Sequence, residues 1–226
     1  MPHHPVDMDA VKTYVAAVFR ESDYIEFRAL RLSGRGGHFL FRKPIDINDP
    51  LLEEWLVSHN SPDWACYIGV NPRKADRGSG EAGAGTDADI EEFRCLFVDF
   101  DDATPDEAVE RIESAGLEAP TLLISSGRAT GTHAYWRLEE SVTDSDLWRR
   151  LQGSLIRLLG SDKSIKNPSR IMRLPGTDNH KRGAPCCLLR QGIVHQSWET
   201  LNLSPLPESE AFVGVPPDPS LIPRMD

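Results

Sequence analysis

The apolar stretch CLFVDFDD, at residues 95–102, ends in aspartates that an ordinary buried strand would not carry. An ionised carboxylate is costly to bury unless it is paired or bound to a metal. Alternate residues of a strand project to opposite sides, so Asp99 and Asp101 share one face with Phe97, while the even-numbered residues face packed helices. Two such carboxylates can hold divalent metals for phosphoryl or nucleotidyl transfer. The motif alone also allows a strand end whose acids lead into solvent.

A second motif, SSGRATGTHAYW, follows at residues 125–136 and joins two predicted strands through a glycine-containing turn. Small residues let backbone N–H groups approach a phosphate, and the Ser126 hydroxyl adds a donor beside Gly127. His133 is predicted to lie on the face that carries the acids, where it would contact a phosphate oxygen. The G-x-x-x-x-G-K-[ST] pattern of a P-loop is absent. A hairpin with a structural histidine is the alternative.

The charged residues form two blocks of opposite sign. Residues 87–118 contain twelve Asp and Glu, and residues 163–190 are rich in Lys and Arg. Asp162, directly before the basic block, is the candidate third metal ligand. Arginine and lysine are donors suited to a triphosphate or a nucleic-acid backbone. The candidates for this role are Arg173 and Lys181, with Arg170, Lys166 and Arg73 as further donors. Two solvated faces of opposite sign are the alternative interpretation.

The composition indicates an ordinary globular protein: 226 residues, 39% hydrophobic and 27% charged. The formal net charge of -10 argues against a protein held on nucleic acid by bulk electrostatics. No apolar run approaches a membrane span, and the first residues lack the pattern of a signal peptide. The four cysteines show no C-x-x-C spacing, so we expect neither a zinc site nor disulfides. These features predict a cytoplasmic protein without a membrane partner.

Strand-like and helix-like segments alternate along residues 1–203, with hairpins among them. This pattern predicts an α+β fold, with helices on one face of a sheet and the other face open for a site. Residues 74–89 are small, polar and Gly-rich, which is typical of a mobile loop. Residues 204–226 contain six prolines and no clear periodicity, which predicts a tail or linker.

The order of these motifs resembles the archaeo-eukaryotic primase superfamily, and in particular its RepB-like and primase-polymerase branch. The resemblance spans roughly residues 10–200 and rests on the segments FVDFDD, SSGRATGTHAYW, Asp162 and RIMRLPGTDNHK. It implies an RRM-like antiparallel or mixed sheet, at about residues 91–203, joined to an N-terminal αβ unit at about residues 1–90. The catalytic site would lie in the cleft between these units.

The resemblance also implies roles for individual residues. Asp99, Asp101 and Asp162 would bind Mg²⁺ or Mn²⁺ in a two-metal site. The nucleotide-binding residues would be Ser126, Gly127, His133, Arg173, Lys181 and Arg73. The implied chemistry is attack of a 3′-hydroxyl on an α-phosphate, with pyrophosphate leaving.

The function expected from this resemblance is that of a DNA primase or primase-polymerase. It would join NTPs or dNTPs on a single-stranded DNA template during replication of a mobile element, plasmid or phage. A helicase, fused or separately encoded, is a possible partner, since the chain contains no helicase motif. Two alternatives stay open: a metal-dependent phosphohydrolase or nuclease that uses the same acids, and a non-catalytic replication-initiator module that binds nucleic acid.

Overall fold

The computed structural model describes residues 4–34, 36–74 and 85–210, which form two four-stranded antiparallel sheets and four α-helices. The helices are α1 (Met8–Val18), α2 (Pro50–His59), α3 (Pro105–Ser114) and α4 (Ser145–Leu159). The longer strands are β1 (Ile25–Arg31), β2 (Gly37–Arg42), β3 (Trp64–Gly69), β4 (Phe93–Phe100), β5 (Leu122–Ser125), β6 (Thr132–Val142), β7 (Ile171–Arg173) and β10 (Cys187–Gln191). Two-residue strands β8 (Asp178–Asn179) and β9 (Ala184–Pro185) form a separate ribbon. The α+β fold class predicted from the sequence is confirmed.

The first sheet has the strand order β2-β1-β3-β7, so it combines the N-terminal strands with one that lies far along the chain. β7 pairs with β3 and places Arg173 opposite Tyr67. The second sheet has the order β10-β5-β6-β4. Within it, the succession β4-α3-β5-β6-α4 has the order expected of an RRM-like unit, while the strand that follows α4 joins the first sheet.

Local sequence signals account for the helix starts. Asp49 caps α2 by accepting a hydrogen bond from the Leu51 N–H, and Pro50 occupies the first turn, where its missing N–H costs nothing. Thr104 and Glu107 form a capping box at the start of α3. These starts fix where each helix lies relative to the strand before it.

The free edge of β4 is covered by side chains instead of another strand. The Gln152 side chain of α4 accepts from the Phe97 N–H at 3.2 Å and donates to the Phe97 carbonyl at 2.6 Å. Trp148 Nε1 donates to the Cys95 carbonyl, and the Asp162 N–H donates to the Asp99 carbonyl at 3.0 Å. A buried strand edge must have its backbone groups paired, so these contacts hold β4 and the start of the basic segment together.

The sheet face that carries Asp99 is not open, contrary to the expectation from the sequence. Cys95 and Phe97, which share that face, are completely buried. Tyr14 of α1 packs edge-on against Tyr135 of β6, with ring centroids 5.5 Å apart. The N-terminal helix therefore covers most of this face, because the apolar residues beside Asp99 require burial. Only the end of the sheet at Asp99 is left for a site.

Two predicted irregular segments are only partly described. Of the Gly-rich segment, residues 75–84 lie outside the described residues, and so do residues 211–226 of the predicted tail. The first part of that tail lies along α4: Leu206 is buried, and its backbone exchanges hydrogen bonds with Arg150. No helix in the described part of the chain has the length and apolar character needed to cross a membrane.

Candidate active site

A cleft of about 190 Å³ lies where the ends of the two sheets meet. Asp99 enters it from β4, His133 from β6, and Ser126 from the residue after β5. Tyr67 and Arg173 enter it from the first sheet. The remaining lining residues are Asp101, Arg128, Arg170, Ile171, Met172 and Asn179. The cleft therefore joins acids from one sheet to guanidinium groups from the other.

The register of the second sheet brings Asp99 and His133 together. The two residues are directly opposite each other on β4 and β6. His133 Nε2 lies 3.6 Å from Asp99 Oδ1. Asp101 follows the last residue of β4 and is more exposed, and the Arg128 guanidinium contacts its carboxylate. The predicted common side for the two acids and the histidine agrees with their shared lining of the cleft.

Ser126 and Gly127 are fixed by tight backbone contacts. The Asn179 side chain donates to the Ser126 carbonyl at 2.7 Å, and the Ser126 N–H donates to the Gly131 carbonyl at 2.9 Å. Gly127 has φ +76°, and a Cβ at this position would come within 2.6 Å of the Ala184 carbonyl oxygen. Glycine is therefore required by both conformation and space. Its role here is to bring the β5–β6 turn and β9 together.

Arg173 lies over the Tyr67 ring, with 5.1 Å between the guanidinium carbon and the ring centroid. The Arg173 Nη2 also donates to the Tyr67 hydroxyl at 3.4 Å. A planar guanidinium stacks on an aromatic face and still presents N–H donors along its edge. Tyr67 thus fixes the orientation in which Arg173 enters the cleft.

Several buried polar atoms around the cleft have no hydrogen-bond partner among the described residues. They are Ser126 Oγ, His133 Nδ1, Arg173 Nη1 and Asn179 Oδ1. Buried polar groups in folded proteins are almost always paired, so a cluster of unpaired ones indicates a place where a ligand binds. This set contains hydroxyl, imidazole and guanidinium groups, which are all able to donate to a phosphate oxygen.

The pKa of Asp99 is raised to about 7 in the metal-free protein. Burial is the largest cause, followed by the negative charges of Asp101 and Asp162, and the charges of Arg170 and Arg128 oppose it only in part. The negative charges of Asp101 and Asp162 thus add to the penalty that burial places on the ionised form of Asp99. A bound cation would offset that penalty.

The pKa of His133 is lowered to about 3, so the imidazole is neutral at physiological pH. Burial is the main cause and the charge of Arg173 adds to it, while Asp101 acts in the opposite direction. A neutral imidazole has one N–H to donate. His133 can therefore donate a hydrogen bond to an anionic ligand without adding a further positive charge.

Asp162 comes close to Asp99 through its backbone, but its carboxylate has another partner. The N–H and hydroxyl of Ser164 donate to the two Asp162 carboxylate oxygens at 2.8 and 2.7 Å. Within the described ranges, no three His, Cys, Asp or Glu side chains are gathered closely enough to hold a metal ion. The three predicted ligands are neighbours and do not form a finished metal-binding cluster.

The donor set nevertheless has the chemistry that Mg²⁺ and Mn²⁺ require. Both ions prefer carboxylate and water oxygens. The raised pKa of Asp99 shows that Asp101 and Asp162 act on it electrostatically. The residues fit a divalent cation if two contacts give way to metal coordination. The Asp101 carboxylate would have to leave Arg128, and the Asp162 carboxylate would have to leave Ser164.

Arg73 and Lys181 do not line this cleft. Arg73 is almost completely buried and donates to Glu26 at 2.7 Å and to the Ser169 carbonyl at 3.1 Å. Burial alone would raise the pKa of Glu26, but the hydrogen bond from Arg28 and the charges of Arg73 and Arg28 hold that pKa below its usual value. Arg73 therefore has a structural ion pair. Lys181 is exposed in the turn between β8 and β9.

Sequence reasoning did not assign five residues that line the cleft, of which three are polar: Tyr67, Arg128 and Asn179. Arg128 lies inside the motif SSGRATGTHAYW and Asn179 inside RIMRLPGTDNHK. Their membership of a recognised motif was the available signal. Tyr67 had none, because its importance depends on pairing with a strand 106 residues away.

No protein-family model and no curated protein sequence matches the chain. Among solved structures, the archaeo-eukaryotic primase domain of the cyanophage S-2L primase-polymerase is 22% identical, with a TM-score of 0.69 over 89% of this chain and 100% of that domain. The catalytic domain of primase RepB′, in complex with initiator DNA, is 14% identical, with a TM-score of 0.63 over 84% of this chain and 88% of that one. A longer RepB′ structure is 16% identical, with a TM-score of 0.61, and the match covers 84% of this chain and 59% of that one. The chain therefore has the archaeo-eukaryotic primase fold, in the form shared by RepB-like and primase-polymerase catalytic domains.

Proposed function

We propose that residues 1–203 form the catalytic domain of a DNA primase or primase-polymerase. The observation that carries the proposal is the cleft in which the Asp99 and Asp101 carboxylates face the unpaired donors of Ser126, His133 and Arg173. Acids for a metal and donors for phosphates are the two requirements of a nucleotidyl transferase. A protein that only binds nucleic acid has no need for a half-buried carboxylate, Asp99, whose pKa the charges of Asp101 and Asp162 raise further.

In the proposed reaction, the 3′-oxygen of a primer or initiating nucleotide bonds to the α-phosphorus of an NTP or dNTP. The bond from that phosphorus to the pyrophosphate oxygen breaks. Mg²⁺ or Mn²⁺, held by Asp99, Asp101 and Asp162, would lower the proton affinity of the attacking hydroxyl and neutralise charge on the phosphate. Single-stranded DNA would serve as the template, and the setting would be replication of a mobile element, plasmid or phage in the cytoplasm.

The protein's own donors would hold the triphosphate. Arg173, oriented by Tyr67, would contact phosphate oxygens with its free Nη1, and Arg170 would add charge from the residue before β7. His133 would donate one hydrogen bond as a neutral imidazole, and Ser126 another from its hydroxyl. Rigidly placed donors stabilise charge that develops in the transition state without having to reorganise.

The test is incorporation of labelled nucleotides on a single-stranded DNA template with Mg²⁺ or Mn²⁺, with and without an annealed primer. Asp99→Ala/Asp101→Ala should lose metal-dependent product, whereas Asp102→Ala should keep it, because Asp102 is paired with Arg111 outside the cleft. No product from the folded wild-type protein in either format would refute the proposal. Product only with a primer would leave a polymerase and remove the priming activity.

His133→Ala separates the nucleotide site from DNA binding. We expect the KM for the nucleotide to rise by at least about tenfold, the loss expected for a hydrogen bond to a charged group. The affinity for DNA should change by less than twofold. The opposite pattern would show that His133 is assigned to the wrong ligand. Release of mononucleotides from DNA in place of incorporation would favour the nuclease alternative.

A further inference from the structure

A second cavity, of about 520 Å³, lies beside the catalytic cleft. It runs between the turn that joins β5 to β6 and the turn that joins β8 to β9, and we call it the hairpin groove. Its side-chain donors include Ser125, Arg128, Thr130 and Arg182. Gly127 and Ala184 contribute its backbone floor.

The hairpin groove is positively charged in a chain whose formal net charge is -10. Its lining contains two arginines and no Asp or Glu. Arg182 is exposed, and its side chain makes no hydrogen bond or ion pair with the residues that the structure describes. The lining contains no aromatic ring on which a base could stack. The groove has an unpaired guanidinium at Arg182, a second one at Arg128 whose other N–H groups have no partner among the described residues, and no stacking platform. Such a lining suits a sugar–phosphate backbone and not a base.

Arg128 connects the groove to the catalytic cleft, because it lines both cavities and contacts the Asp101 carboxylate. Its guanidinium has five N–H donors, and in the described residues only its Nη1 has a hydrogen-bond partner. Ser126 lines the cleft, while its neighbours Ser125 and Gly127 line the groove. A strand in the groove would therefore end beside Asp101.

The position of Arg182 is tied to the catalytic residues. The backbone N–H groups of Arg182 and Gly183 both donate to the Asn179 carbonyl at 2.8 Å. The Asn179 side chain in turn donates to the Ser126 carbonyl at 2.7 Å. These hydrogen bonds connect the turn that carries Arg182 to the residue that lines the cleft, as a site that positions a reacting strand end requires.

From this arrangement we propose that the hairpin groove binds the sugar–phosphate backbone of the primer strand, whose 3′ end reacts at Asp101. The inference rests on the proposed function. The cations on the other side of the cleft, Arg170 and Arg173, come from the first sheet and suit the triphosphate. The arginines of the groove lie in the β5–β6 turn (Arg128) and in the turn between β8 and β9 (Arg182). The triphosphate and the primer backbone would therefore have separate sets of donors.

The test compares Arg182→Gln with Arg190→Gln, an exposed arginine on β10 that does not line the groove. Fluorescein-labelled DNA hairpins with a self-annealed primer and a 5′ overhang serve as the probe, and anisotropy is measured from 50 to 200 mM KCl. Arg182→Gln should weaken binding by about 3–10-fold and lower the slope of log K against log [salt] by about 0.7–0.9, the change for one phosphate contact. Arg190→Gln should match the wild type.

A primer-length series distinguishes the primer from the template. In the wild type, lengthening the primer from two to eight nucleotides should lower the KM for DNA, and Arg182→Gln should lose most of that gain. The KM for the nucleotide should stay within twofold. Equal weakening by Arg190→Gln, unchanged binding by Arg182→Gln, or equal weakening on an unprimed strand would each overturn the proposal.

Failure of the groove and failure of the proposed function have different signatures. A wild-type protein that incorporates nucleotides while Arg182→Gln behaves normally would refute the groove alone. Binding of primed DNA that depends on Arg182 without any incorporation would refute the proposed activity and keep the groove. A wild-type protein that binds no primed DNA would refute both.

Discussion

Replacing Asp99 by asparagine should stabilise the metal-free protein at neutral and alkaline pH. The pKa of Asp99 is raised to about 7 from an ordinary value of 3.8, because the group is buried and lies near Asp101 and Asp162. A carboxyl whose pKa is higher in the folded state binds its proton more tightly there. The free energy of unfolding therefore falls as the pH rises from about 4 to about 7, and the loss is complete above that range.

The magnitude follows from the size of the difference. A pKa of about 7 in place of 3.8 corresponds to a loss of at most about 4 kcal/mol in the free energy of unfolding when Asp99 is ionised. The Asp99 side chain is 23% exposed, so water and local relaxation reduce this figure. We expect the free energy of unfolding of Asp99→Asn to exceed that of the wild type by about 1–3 kcal/mol at pH 8. The difference should vanish near pH 4.

The assay is urea unfolding followed by tryptophan fluorescence in EDTA, from pH 4 to pH 9. Asp102→Asn is the matched control: its hydrogen bond with Arg111 lowers the pKa of Asp102, so its removal should not stabilise the protein at high pH. Added Mn²⁺ should raise the wild-type midpoint and leave that of Asp99→Asn nearly unchanged. A stability difference that does not depend on pH, or a wild type that is the more stable protein at pH 8, would refute the reasoning.

Three further predictions concern the parts that hold the cleft in place. Gly127→Ala should cost about 2–4 kcal/mol in urea unfolding, whereas Gly116→Ala, with φ +69° and open space, should cost about 1 kcal/mol; equal costs would contradict the close approach at Gly127. Gln152→Leu should cost about 2–4 kcal/mol, because it leaves a buried N–H and carbonyl of β4 unpaired, and a loss under 0.5 kcal/mol would contradict that role. Arg128→Gln should raise Mn²⁺ affinity about 3–10-fold by calorimetry, since it removes a cation that competes for Asp101, and unchanged affinity would show that the contact does not compete.

Local signals were sufficient for the elements and for much of the site. The alternation expected for β4 and the glycine-containing motif after it depend on neighbouring residues, and the structure places Asp99, Ser126 and His133 in one cleft. The α+β fold followed from the same signals. The predicted roles of these residues as ligands stay predictions.

The features that the sequence did not reveal depend on pairing between distant segments. Arg73 was expected at the nucleotide, but its partner Glu26 lies 47 residues away in the chain, and only the folded structure brings the pair together. Nothing in the local pattern of β4 shows that α1 covers the face beside Phe97. Charge and spacing identify donors and acids, and long-range contacts decide which of them stay free for a ligand.

On the proposed function, the electrostatics of the cleft predict that metal and nucleotide bind as a coupled pair. A cation alone would relieve the repulsion at Asp99 and leave the unpaired donors of Arg173 and Ser126 without an acceptor. An anion alone would satisfy those donors and add negative charge beside acids that already repel one another. Each ligand therefore improves the site for the other, and linkage makes the gain reciprocal. On the same proposal, a cleft with this division of charge would favour a metal–triphosphate complex over either component alone.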